Sequence, residues 1–196
     1  MVNDKSTMPE LYEPLEKYIE ENFRGKVKLV HNYERLGLIA TRLEGAKRAT
    51  GDVIVFLDSH IEVTTNWVVP LLDPIQTNRK VATVPVIDRI DASDLRYVPV
   101  ADTPNGGFNW DLKYQYFILT KKEHPTEGEP FILSAMTGGA YAIDRKYFFE
   151  LGGYDQGMFL YNGENYELSF KLHLCGGSLL RIPCSRVGKY NFDTVF

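Results

Sequence analysis

The chain has 196 residues, 44% of them hydrophobic and 13% aromatic, and a formal net charge of −4. That composition excludes a disordered chain, and no apolar run approaches the roughly 18 residues of a membrane-spanning helix. Lys and Arg are scattered rather than clustered, which excludes a polyanion partner, and the length suits one domain with a sizeable core.

In chain order, the opening MVNDKSTMPEL has no basic stretch followed by an apolar one, so it encodes no secretory leader. VND reads as the end of a strand entering a turn, so the start of a sheet is expected to be missing. Thr7 and Glu10 have capping-box spacing for a helix carrying Leu11, Leu15, Tyr18 and Ile19. Pro14 within that span predicts a kink or a later start.

KVKLV at 26–30 predicts a strand. LIATRLEGAKRA at 38–49 places Leu38, Arg42, Leu43 and Ala46 at helical spacing and stops at Thr50-Gly51. DVIVFLD at 52–58 then completes a strand–helix–strand unit. KVATVPVI at 80–87, FILSAMTGGAYAID at 131–144 and LLRIPCSRV at 179–187 predict further strands. Continuous apolar runs of this kind suit strands buried on both faces in an α/β protein.

Residues 97–130 hold four of the ten prolines and the aromatics Phe108, Trp110, Tyr114, Tyr116 and Phe117. This long insertion reads either as a binding surface or as a cap on the sheet. NYELSFKLHLC at 165–175 predicts a helix closed by Gly176-Gly177. Cys175 and Cys184 are too few for a disulfide scaffold and lack CxxC spacing, so they read as small buried hydrophobes or as disulfide partners.

The stretch VIVFLDSHIEV at 53–63 carries the chemistry. In an extended strand, residues i and i+2 share a face, which would let Asp58 and His60 converge at the carboxyl end where open α/β sheets gather ligands. One carboxylate and one imidazole suit a borderline divalent ion such as Mn²⁺, which could neutralise a departing diphosphate. The same triplet also fits a turn-capping aspartate beside a histidine bonded to the backbone.

The segment RLGLIATRLEGAKRATGDVIVFLDSHIEVTTNWVVPLLDPI resembles the corresponding part of the polypeptide N-acetylgalactosaminyltransferases, which attach GalNAc to Ser or Thr of mucin-type glycoproteins. The resemblance continues through GGFNWDL, TGGAYAIDRKYFFELGGYD, NGENYELSFKLHLCGG and IPCSRVG, nearly the whole chain in order. It implies a GT-A fold, a Rossmann-like α/β nucleotide-sugar-binding fold here lacking its first strands. It also implies a retaining transfer from UDP-GalNAc to Ser/Thr hydroxyls of an acceptor polypeptide, with Mn²⁺ as cofactor, in the Golgi lumen. The targeting anchor is absent from this chain.

Residue by residue, the resemblance assigns the metal to Asp58 and His60, the nucleoside to Asp4 and UDP to Arg35. Both of the latter equally fit ordinary solvated charges. Gly138 and Gly139 match a glycine pair close to the sugar, and Glu164 a glutamate that positions the sugar and acceptor. Tyr114 and Tyr116 match aromatics that lie against the acceptor peptide, and they also fit packing of a surface layer. Tyr161 and Asn162 stand where the family has Trp and Gly, which alters the loop before Glu164.

The family's metal site ends in SRVGH, whereas residues 185–189 here read SRVGK. An ammonium has donors only, so Lys189 cannot supply the third ligand and metal affinity is expected to fall. One alternative has Lys189 contact the diphosphate directly.

The resemblance also implies strands before VND and, after this segment, a catalytic loop and a ricin-like lectin domain. The expectation is therefore one partial GT-A catalytic domain over residues 1–196, without lectin domain or transmembrane segment. It implies too that Cys175 and Cys184 have disulfide partners outside the segment, leaving them unpaired or paired with each other. The alternative to a transferase is an inactive relative or fragment that binds peptide or UDP-sugar without transfer.

Overall fold

The structure is a computed structural model and describes residues 1–100, 105–111, 113–117, 128–159 and 163–191. The chain divides into two compact units, one of residues 1–50 and 154–164, the other of 51–153 and 165–196.

In the first unit, β1 (Val2–Asn3) pairs in parallel with β2 (Val30–His31), Val2 opposite Val30. Between them run a 3-10 turn at Pro9–Leu11 and helix α1 (Glu13–Phe23). The helix starts late, with Pro14 in its first turn where a missing N–H costs no hydrogen bond. Thr7 and Glu10 form no capping box, because neither lies at the boundary the helix adopts. Helix α2 (Leu38–Arg48) buries Ile39, Leu43 and Ala46.

In the second unit, β3 (Val53–Leu57), β4 (Ile61–Val63), helix α3 (Val69–Thr77) and β5 (Val81–Asp91) follow in order. Then come β6 (Tyr97–Val98), β7 (Asn105–Phe108), β8 (Tyr114–Phe117), β9 (Phe131–Ile132), β10 (Ala140–Asp144), α4 (Arg145–Glu150), α5 (Glu164–Leu174), whose first residue Glu164 belongs to the first unit, and β11 (Ser178–Asn191). The main sheet of the described residues runs β3-β10-β5-β11-β4, with β6 beside β5 and β9 beside β11. It is mixed: β5 and β11 are parallel, while β10 is antiparallel to both β3 and β5.

From Val81 to Val86, β5 is buried on both faces, as its unbroken apolar run requires. In β3 the inward residues Ile54 and Phe56 alternate with more exposed neighbours. Phe56 faces Tyr141 across the β3–β10 register, and their rings stack at 4.7 Å. Leu71 and Ile75 of α3 pack on Ala142 and Ile182.

Three sequence expectations change. The run 131–144 is not one strand but β9 and β10, separated by the Gly138-Gly139 turn. Its end opens α4, where the Asp144 carboxylate accepts the Tyr147 N–H at 2.7 Å. Helix α3 was hidden by Pro70 and Pro74, of which Pro70 sits harmlessly in the first turn. Both cysteines are exposed rather than buried, and of the two expected states, unpaired or paired with each other, they show the unpaired one.

The aromatic insertion is, where described, an antiparallel hairpin of β7 and β8 with Phe108 opposite Tyr114. In β11 the pairing with β5 is regular on either side of a break. Ile182 faces Pro85 and Arg186 faces the next residue, Val86, so Pro183, Cys184 and Ser185 have no partner in that register. Ser185 donates from this bulge to the Trp67 carbonyl at 2.6 Å, and Thr64 donates to the Arg186 carbonyl at 2.7 Å.

Candidate functional site

Within the second unit, β3 ends at Leu57 and delivers Asp58 to the tip of the sheet, where its N–H donates to the Gly139 carbonyl at 2.9 Å. Asp58 and His60 do converge, with Nε2 of His60 4.0 Å from Oδ2 of Asp58. The cause differs from the expected strand alternation: Ser59 and His60 form a turn between β3 and β4 that bends the two side chains together. Burial first, and then the charge of Lys189, hold the His60 imidazole below its usual pKa against the pull of Asp58.

Lys189 comes from the other end of the sequence. Strand β11 pairs antiparallel with β4, Lys189 opposite Ile61, and the Tyr190 N–H donates to the His60 carbonyl at 3.1 Å. This register sets the Lys189 ammonium 3.2 Å from Oδ2 of Asp58. The side chains of Asp58, His60 and Lys189 remain 15%, 33% and 38% exposed, so the cluster opens to solvent.

The glycine pair lines it. Gly138 has φ of +82°, a conformation L side chains avoid. A Cβ on Gly139 would lie 3.0 Å from Oδ2 of Asp58 and 3.6 Å from the Lys189 ammonium. The first glycine serves the turn and the second leaves room for the ion pair.

As a metal site the cluster is incomplete. Asp58 and His60 are two donors, and the third side chain is a cation already paired with one of them. Among the described residues no group of three or more His, Cys, Asp and Glu side chains could hold a metal ion.

In the first unit, Asp4 lies at the entry to α2. Its carboxylate accepts the N–H groups of Leu36 and Gly37 at 2.9 and 2.8 Å and the side-chain amide of Asn32 at 2.9 Å. Burial pushes the Asp4 carboxyl up, but these donors together with Thr41 outweigh it and hold the group below the usual carboxylate range. Arg35, one residue before Leu36, is exposed.

Glu164 is only 5% exposed and opens α5, where a helix N-terminus favours a carboxylate. Nη1 of Arg42 lies 3.7 Å from Oε1 of Glu164, and Oε2 of Glu164 is buried without a hydrogen-bond partner among the described residues. Sequence reasoning did not single out Arg42 as a site residue. The signal was present, since a guanidinium on the apolar stripe of α2 demands a buried partner.

Tyr114 and Tyr116 share one face of β8, their rings meeting edge-on at 5.3 Å. Tyr116 is 60% exposed. Tyr114 packs toward Tyr166 of α5 with its hydroxyl buried, and burial raises its pKa well above the usual tyrosine value. Tyr114 thus fits the packing layer, and Tyr116 stands exposed beside it. Tyr161 and Asn162 lie outside the described residues.

Residues 1–149 match glycosyl transferase family 2. N-acetylgalactosaminyltransferase 7 of Drosophila melanogaster is 47% identical over 194 residues, covering 96% of this chain and 33% of that protein. Polypeptide N-acetylgalactosaminyltransferase 11 of Xenopus tropicalis is 48% identical over 191 residues, covering 96% and 32%. A crystal structure of GalNAc-T7 with UDP, GalNAc and Mn²⁺ matches with a TM-score of 0.93 at 40% identity, covering 97% of this chain and 36% of that one. The chain spans about a third of the length of the curated relatives it matches.

Proposed function

Because the chain belongs to glycosyl transferase family 2 and has a GT-A fold, we propose that it carries the donor chemistry of a polypeptide GalNAc-transferase. The reaction moves GalNAc from UDP-GalNAc to Ser or Thr hydroxyls of polypeptides and initiates mucin-type O-glycosylation in the Golgi lumen. The observation that carries this reading is the meeting of Asp58 and His60 at the carboxyl end of β3, against the Gly138-Gly139 turn.

In the reaction, the acceptor oxygen bonds to the anomeric carbon as that carbon's bond to the diphosphate oxygen breaks. UDP leaves with the bonding pair, and the hydroxyl proton passes to an oxygen of the departing diphosphate. What the protein must supply is charge for the departing diphosphate and orientation for two hydroxyl-rich partners. The GalNAc-T7 crystal structure contains Mn²⁺, an ion that can neutralise phosphate charge. Here Asp58 and His60 are the two side chains that could face such an ion, but the Lys189 ammonium stands beside them, so the described residues do not complete a metal site.

The remaining roles follow local chemistry. Glu164 presents a buried Oε2 that lacks a donor among the described residues, which suits a sugar hydroxyl. Asp4 fixes the loop into α2 and, with Arg35, is assigned to the nucleoside end. Gly138 and Gly139 admit the sugar close to the backbone. Exposed Tyr116, backed by Tyr114, offers an aromatic surface to the acceptor peptide.

A second reading has specific support: the Lys189–Asp58 pair favours a relative that binds UDP-sugar or peptide without transfer. Incubation with UDP-GalNAc, Mn²⁺ and a Thr-rich peptide decides. Mass gain of one HexNAc on the peptide is the expected result. Donor binding without any mass gain would leave the second reading standing.

A further inference from the structure

We infer that Lys189 serves as a built-in cation at this site, binding the diphosphate of the donor through its own N–H donors so that UDP is held without a divalent ion. The inference deepens the function proposed above and rests on it.

Three observations converge. First, the ammonium is fixed rather than adrift: β11 is hydrogen-bonded to the His60 carbonyl through Tyr190, and Asp58 holds the Lys189 head at 3.2 Å. Second, the cluster opens to solvent, with the Lys189 side chain 38% exposed, and an ammonium engaged by one carboxylate oxygen retains donors for others. Third, the same ammonium obstructs a metal. A divalent ion on Oδ2 of Asp58 would stand within a few ångströms of a positive charge, in a site that offers no third donor among the described residues.

The exchange has an electrostatic consequence. A carboxylate with a divalent ion leaves one net positive charge, whereas a carboxylate with an ammonium leaves none. Diphosphate affinity here comes from charge-assisted hydrogen bonds to Lys189 rather than from a strong local field. Lysine is a known type of phosphate ligand acting as a point charge, so recognition survives without the rigid coordination a metal imposes.

The test is calorimetric titration of UDP into the chain, in EDTA and again in Mn²⁺, with Lys189→Met, Lys189→Arg and Lys189→His variants. The expected result is UDP affinity in EDTA within about threefold of that in Mn²⁺. Lys189→Met lowers metal-free affinity at least about tenfold and Lys189→Arg restores most of it, while Lys189→His binds UDP tightly only when Mn²⁺ is added. Strict Mn²⁺ dependence of the unaltered chain overturns the inference and leaves the proposed function intact, as does a Lys189→Met variant that binds as well as the parent in EDTA. No UDP binding under either condition overturns both.

Discussion

Nη1 of Arg42 and Oε1 of Glu164 lie 3.7 Å apart with both side chains less than a tenth exposed, an ion pair joining the apolar stripe of α2 to the first residue of α5. Removing one member of such a pair leaves the other charged and dry. Arg42→Ala is expected to cost about 3 kcal/mol, read as a lowered midpoint in urea at unchanged slope. Glu164→Gln keeps the volume and loses the charge. It should weaken UDP-GalNAc binding at least about tenfold while weakening UDP binding far less, since the sugar is what its Oε2 would meet. Equal losses for both ligands would remove Glu164 from the sugar site.

Restoring a third donor should restore metal-assisted chemistry. With Mn²⁺ present, Lys189→His is expected to transfer GalNAc to a Thr-rich peptide at least about tenfold faster than the parent, because the local charge rises by one unit where the diphosphate departs. A Lys189→His variant that binds Mn²⁺ yet shows no gain in transfer would move the rate-limiting defect elsewhere.

The glycines make separable predictions. Gly138→Ala forces a side chain into positive φ and should cost about 1–2 kcal/mol of stability, visible in thermal unfolding. Gly139→Ala meets no such conformational barrier, but its methyl approaches Oδ2 of Asp58 at 3.0 Å. The expected loss there is in UDP affinity more than in Tm.

Asp88 couples stability to pH. Its buried carboxylate accepts Nε of Arg186 at 2.9 Å, the Val100 N–H at 2.8 Å and the Tyr97 hydroxyl. Burial alone would raise its pKa, but those three donors outweigh it and depress the group below the ordinary 3.8. A folded pKa below the unfolded one means the unfolded chain takes up the proton first. The stabilisation is therefore whole above about pH 4 and is lost as pH falls through the folded value. Asp88→Asn should flatten that acid limb in a urea series run from pH 6 downward, and an unchanged acid limb would assign it to other carboxylates.

On the acceptor side, Tyr116→Ala is expected to raise KM for the peptide with little change in UDP binding. Tyr114→Phe, which removes a buried hydroxyl without a partner among the described residues, should be neutral or slightly stabilising.

How much of this was legible beforehand depended on whether local sequence held the cause. Helix α2 and the buried run of β5 announce themselves through periodicity, whereas strand alternation predicts a meeting of Asp58 and His60 that the turn at Ser59-His60 in fact produces. Helix α3 does not, because the burial of Leu71 and Ile75 that holds it is tertiary while Pro70 and Pro74 speak locally against it. The late start of α1 was one of two outcomes Pro14 allowed. Lys189 stood out as a missing ligand, but no residue near it in sequence shows that it lands on Asp58, 131 positions away. The free, exposed cysteines likewise follow from where β11 and the end of α5 come to rest.

The bulge in β11 sets which way the strand's last residues face. Side chains along a strand alternate between faces, so a one-residue change upstream inverts every one downstream. Three unpaired residues, Pro183 to Ser185, are an odd number, and they fix the phase in which Lys189 emerges beside Asp58. Pairing with Arg89 and Ile61 holds the face of Lys189, so deleting one of the three either shortens the bulge with Lys189 still in place or slips the segment after it by one position and turns Lys189 to the opposite side of the sheet. Length variation in this bulge can therefore move the ammonium out of the site only by breaking the register that follows it.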